Sequence, residues 1–211
     1  MDMAVKIEGG FAEVGAGACL MGRGQPAAFF GSAVRRRRKG FFLRDRSALD
    51  LVETTGVAKC ADARRPFLTH ITCAAPISAV SSKVLVAPAA ARTGAEAVKV
   101  VPMSAKGSLC VTQFGGEWVV LATASRTARL QVEDGDTLSV RPESVVAWTG
   151  NRPTGFVRRL GIWDILLPRM PRDMILHFHG PCLVWIEGAM PQLSAFRFST
   201  FNSSGGRVYG V

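Results

Sequence analysis

The chain is short of the residue patterns that most directly announce a chemistry. It holds only three histidines, His70, His177 and His179, and no Gly-x-Ser-x-Gly phrase, so the usual signature of a nucleophilic hydrolase is missing. No phosphate loop or dinucleotide fingerprint occurs: Gly15-Ala-Gly17 lacks both a preceding strand and a third glycine. The five cysteines, Cys19, Cys60, Cys73, Cys110 and Cys182, are odd in number, widely spaced and never in a Cys-x-x-Cys pair. That pattern speaks against a zinc ribbon and against a disulfide framework, and it suits a reducing compartment. No stretch approaches the roughly 18 consecutive apolar residues of a membrane-spanning helix. Asp2, Lys6 and Glu8 break what a secretory signal needs to keep apolar. The expected location is intracellular, cytoplasmic in a bacterium. A mitochondrial presequence is disfavoured, because Asp2, Glu8 and Glu13 precede the late arginines.

What is present points to strands and turns. An apolar fraction of 48% with 20% charged residues is ordinary for a globular protein, and 211 residues suffice for a self-sustaining core. Glycine (22) and proline (11) are frequent enough to imply many turns rather than long helices. The class this indicates is all-β.

The formal charge is +10, which invites an anionic partner, nucleic acid or an acidic membrane surface. It is evenly spread: up to Val80 there are 12 basic and 7 acidic residues, and beyond it 14 and 9, so each part carries +5. The one true cluster is Arg35, Arg36, Arg37, Arg38 and Lys39, followed by Phe41 and Phe42. A polybasic run beside aromatics suits an anionic lipid surface, the rings dipping into the interface. The competing reading is a solvated loop.

Along the chain, residues 1–63 read as a glycine-rich, basic and poorly ordered arm with one strand around Ala4 to Ile7, and Ser47 to Cys60 as compatible with a helical turn. A β domain is expected over 64–191, with strands at Phe67 to Cys73, Lys83 to Pro88, Ala97 to Val101, Ser108 to Thr112 and Glu117 to Thr123. The last of these is apolar on both faces, as a strand enclosed in a sandwich would be. Ala128, Leu130 and Val132, the turn Glu133-Asp-Gly-Asp136, and Leu138 and Val140 read as a hairpin, the Asp-Gly supplying a positive φ. Ser144 to Trp148 and Gly161 to Leu167 follow as strands, and Asp173 to Ile186 as two strands joined at Gly180-Pro181. Residues 192–211 form a tail in which Phe196 and Phe198 suggest an edge strand. All four tryptophans, Trp118, Trp148, Trp163 and Trp185, lie between Gly107 and Pro191, which places the core there.

The run Trp118-Val-Val-Leu121, Glu133-Asp-Gly-Asp-Thr-Leu-Ser-Val140, Val145-Val-Ala-Trp148 and Leu176-His-Phe-His-Gly-Pro-Cys-Leu-Val-Trp-Ile-Glu187 resembles the altered inheritance of mitochondria 24 family over about residues 107–191. Gly180, Pro181, Val184, Trp185 and Ile186 fall on that family's closing phrase, while Cys182 and Glu187 replace its glycine and glutamine. The resemblance implies a double-stranded β-helix or β-sandwich of the tryptophan RNA-binding attenuation protein-like type, built from two related halves and assembling into homo-oligomers. It implies no catalytic residues and no cofactor. For a eukaryotic chain it implies a link to mitochondrial inner-membrane organisation.

His177 and His179 are the sharpest enzymatic candidates, because residues two apart on a strand share a face about 7 Å apart and could hold a metal with Glu187. Cupins, which have a similar β architecture, use such a pair with a glutamate close behind; here Glu187 comes eight residues after His179, past the Gly-Pro turn. The competing reading places Met174, Leu176 and Phe178 in the core and the histidines outside. The function expected on balance is a non-enzymatic oligomeric scaffold meeting an acidic membrane surface or membrane proteins. A nucleic-acid-binding β ring is the alternative, and a cupin-like metal enzyme the second alternative.

Overall fold

The computed structural model describes residues 5–22, 33–36, 49–72, 75–99, 108–157 and 174–188. Among these, regular structure is strand throughout except for two single 3-10 turns, Ser81–Lys83 and Pro142–Ser144. The strands are β1 (Val5–Glu8), β2 (Phe11–Val14), β3 (Gly17–Met21), β4 (Ala33–Arg36), β5 (Asp50–Thr54), β6 (Ala58–Cys60), β7 (Phe67–Thr72), β8 (Ile77–Val80) and β9 (Val84–Pro88). They continue as β10 (Arg92–Lys99), β11 (Ser108–Phe114), β12 (Trp118–Thr123), β13 (Thr127–Val132), β14 (Thr137–Val140), β15 (Val145–Thr149), β16 (Thr154–Val157), β17 (Met174–His179) and β18 (Cys182–Glu187). The all-β class expected from composition is the class observed.

Two six-stranded antiparallel sheets dominate, ordered β4-β5-β3-β9-β12-β7 and β10-β11-β8-β15-β18-β13; two three-stranded sheets, β1-β2-β6 and β14-β17-β16, complete the described fold. One pairing scheme recurs. In β7–β12 the first strand pairs with the last, the last with the third, the second with the fifth and the fifth with the fourth. The same scheme holds strand for strand in β13–β18. In each unit a 3-10 turn links the second strand to the third, flanked by extended residues of similar angles, Val80 and Val84 in one, Arg141 and Val145 in the other. The second strand of one unit pairs with the third of the next, as β8 does with β15 and β3 with β9. The pairs β2–β6, β3–β5 and β5–β4 carry part of the scheme into the N-terminal segment.

The core is layered because the central strands bury both faces. Val119 and Leu121 of β12 face a layer with Leu20, Ile77, Phe114, Val146 and Trp185, while Val120 and Ala122 face one with Val14, Met21, Val52 and Leu85. A third layer gathers Val111, Leu138, Trp148, Leu176, Phe178 and Val184, with the Trp148 and Phe178 rings edge to face, centroids 5.7 Å apart. Enclosure of Val119 to Ala122 was legible from their unbroken apolar run, while Glu117, before the strand, is exposed.

Three local expectations are corrected. Described parts of residues 1–63 are not a poorly ordered arm. β1, β2, β3, β5 and β6 are paired strands whose Ala12, Val14, Cys19, Val52 and Cys60 lie wholly in the core, so position 64 does not separate arm from domain. Within Ser47 to Cys60, the described residues 49–60 contain no helical turn. β5 alternates buried and half-buried, but its buried ends are Asp50 and Thr54, whose polarity hid the period of two. Thr54 Oγ1 accepts from Gly17 N at 3.0 Å and donates to the Gly15 carbonyl at 2.9 Å, which satisfies it there. Finally, β13 and β14 are joined by the anticipated turn, Gly135 having φ 84°, yet they do not pair with each other. β13 joins β18 and β14 joins β17, because the chain turns a corner between two sheets. The Gly180-Pro181 turn packs against that corner, Gly180 N donating to the Asp136 carbonyl at 3.1 Å. The stretches Gly161 to Leu167 and Phe196 to Phe198 lie outside the described residues.

Candidate functional site

The histidines sit where strand alternation puts them. Met174, Leu176 and Phe178 of β17 point inward and are buried, which sends His177 and His179 to the opposite face. There they meet hydroxyls across the register. His177 Nδ1 is 2.9 Å from Ser139 Oγ, and His179 has Thr137 Oγ1 at 3.0 Å on Nδ1 and Thr154 Oγ1 at 3.4 Å on Nε2. Both ring nitrogens of His179 are therefore engaged with hydroxyls. Among the described residues no group of three or more His, Cys, Asp or Glu is placed to hold a metal.

Partial burial, and secondarily the neighbouring His179, hold the His177 imidazole below its ordinary range. A depressed folded value means that the unfolded chain binds more protons, so this group's contribution to stability is present above pH about 6.5 and lost as pH falls through the folded value. An NMR titration of the imidazole resonances is expected to place His177 below 6.5, and His179→Gln to move it upward by removing the like charge. A His177 titration unmoved by that substitution contradicts the pairing.

Glu187 does not join the histidines. Its Oε1 lies 2.5 Å from Lys83 Nζ and its Oε2 accepts from Ala124 N at 3.1 Å. Lys83 closes the first 3-10 turn and also donates to the Glu143 carbonyl, in the second 3-10 turn, at 2.7 Å. Arg65 Nη1 donates to the Ser82 carbonyl alongside. The Lys83 side chain is 8% exposed and that of Glu187 18%. Burial pushes the Lys83 ammonium below its usual range, outweighing the upward pull of Glu187. This ion pair joins the turns of both repeated units to the end of β18. It was missed in sequence, where Lys83 read only as the start of the apolar strand ending at Pro88.

The basic cluster begins on a sheet edge. Arg35 and Arg36 are the last residues of β4, opposite Val52 and Leu51 of β5, and β4 ends its sheet. Arg37, Arg38, Lys39, Phe41 and Phe42 lie outside the described residues. Leu51 in turn stands opposite Leu20, so Arg36, Leu51 and Leu20 form one cross-strand row. Beside that row is a cavity of about 290 Å³ lined by Leu20, Leu51, Ala89, Arg92, Thr93 and Gly94. Its wall includes the start of β10, where a bulge at Thr93 shifts the register between Arg92 and Gly94.

The described residues thus define a layered, all-β sandwich with a basic edge strand, a polar imidazole and hydroxyl face, and a buried ion pair between its repeats. The chain is similar in structure to protein SPYM3_0169 from Streptococcus pyogenes, solved by X-ray crystallography, with a TM-score of 0.63 at 13% identity over 89% of this chain and 93% of that one. That likeness shows the fold. No family model matches the sequence, and no curated protein matches it.

Proposed function

We propose that this protein is a non-enzymatic, self-associating β scaffold that docks on an acidic membrane surface through the basic run beginning at Arg35. The observation that carries this reading is the placement of Arg35 and Arg36 at the end of β4, the outermost described strand of its sheet. Each basic residue close to an anionic surface adds about 1 kcal/mol. The commitment of Glu187 to Lys83 argues against a cupin-like metal site. Self-association has three strand edges besides β4 to use among the described residues, since β7, β10 and β13 each end a six-stranded sheet. The resemblance to the altered inheritance of mitochondria 24 family points the same way. Among the described residues no helix is long and apolar enough to cross a membrane.

The test is Arg35→Gln with Arg36→Gln, measured by flotation with vesicles containing acidic lipid. Two lost charges should cost about 2 kcal/mol, roughly thirtyfold in affinity, and Phe41→Ser with Phe42→Ser should weaken binding further. Equal flotation of wild type and the double glutamine variant contradicts the reading.

A further inference from the structure

The cavity beside β4 and β5 combines three features that together describe a ligand. Its walls include Leu20 and Leu51 at the open end of the central core layer, with Ala89 on the turn after β9. Arg92, half-buried, lines it too, and among the described residues no carboxylate pairs with that guanidinium. The lining Leu51 stands opposite Arg36 in the strand register, which brings the basic strand to the cavity's border. A pocket that sets apolar side chains beside one cation suits molecules that have an apolar tail and an anionic head. At about 290 Å³ the space suits one chain end rather than a whole lipid. The bulge at Thr93 re-aims the first residues of β10, a common device at ligand sites.

We propose that this cavity takes the apolar end of a single-chain anionic membrane amphiphile, with Arg92 holding its headgroup. The proposal rests on the membrane-surface reading above and makes it more specific: the protein engages an individual acyl chain as well as the surface charge.

The probe is 11-(dansylamino)undecanoic acid, titrated by fluorescence into the full chain without vesicles. Saturable binding is expected, competed by dodecyl phosphate at least tenfold better than by dodecyl maltoside, and not competed by inorganic phosphate. Arg92→Gln should weaken it at least tenfold by removing the headgroup partner. Ala89→Leu should do so by filling the space, and Thr93→Phe, at an exposed position on the rim, serves as a second blocking variant should Ala89→Leu lower the thermal midpoint. Unchanged binding in Arg92→Gln and in whichever blocking variant keeps its midpoint overturns the proposal, as does equal competition by the neutral detergent. Vesicle flotation of the wild type with no saturable probe binding overturns the cavity site and leaves the membrane-surface reading intact. Probe binding without flotation does the reverse, retaining the cavity as an amphiphile site.

Discussion

Glu187→Ala is expected to lower stability by about 3 to 5 kcal/mol, the cost of leaving one member of a buried ion pair without its partner. The Lys83 ammonium would keep only the Glu143 carbonyl at 2.7 Å, while Arg65 remains near enough to repel it. The Ala124 amide would lose its acceptor as well. The loss has a pH signature. Lys83 already titrates below its ordinary range in the fold, so the unfolded chain binds more protons and stability rises with pH through the window from the folded value up to about 10.5. Removing Glu187 takes away what pulls the value up, which widens that window downward; the deficit should therefore shrink as the solution is made more alkaline. Lys83→Met combined with Glu187→Leu should recover most of the stability, because an apolar pair needs no desolvation of charge. Denaturant melts across the alkaline range check this. A Glu187→Ala deficit below 1 kcal/mol, or one independent of pH, contradicts a structural ion pair at this position.

Gly180→Ala is expected to cost about 3 kcal/mol or more, because there is no room for a methyl group and the obstacle is backbone. A Cβ at Gly180 would lie 1.8 Å from the Glu133 carbonyl oxygen, 2.5 Å from its carbon and 2.8 Å from the Val132 oxygen. The corner between β13 and β14 must then move, and with it the bond from Gly180 N to the Asp136 carbonyl. Both outer strands of the last repeated unit depend on that corner, since β13 holds β18 and β14 holds β17. Gly135→Ala is the control. Gly135 has φ 84° but nothing within 4 Å of its Cβ position, so only backbone strain of about 1 kcal/mol is expected. Thermal melts of the two variants should therefore separate clearly, and a smaller effect at Gly180 than at Gly135 would contradict the packed corner.

Strands with an apolar face could be read directly from the sequence, and their partners could not. The burial of both faces of β12 followed from Trp118 to Ala122 alone. So did the outward placement of His177 and His179, because Met174, Leu176 and Phe178 occupy the other parity. The β13–β14 pairing failed because Glu133-Asp-Gly-Asp136 looks the same whether the chain folds back on its own neighbour or turns between sheets. What packs against that corner is Gly180, almost fifty residues away. Of the N-terminal strands, β1 matches the strand expected around Ala4 to Ile7, whereas β2, β3 and β5 were missed because their core residues are small or polar: Ala12, Cys19, Asp50 and Thr54 carry little apolar signal although all are buried. The Lys83–Glu187 pair spans more than a hundred residues, so no local spacing announces it. Arg92 went unnoticed for the same reason, its significance arising from Leu20 and Leu51 on other strands.

Wild-type flotation tests most directly whether the basic run at Arg35 meets an acidic lipid surface, as proposed. The full protein is mixed in parallel with vesicles of neutral lipid, with vesicles containing acidic lipid, and with single-stranded RNA, over a range of salt. Flotation with the acidic vesicles alone is expected, weakening as salt screens the charges. Binding to RNA with a steep salt slope and no flotation with either vesicle would contradict the account and favour the nucleic-acid-binding ring.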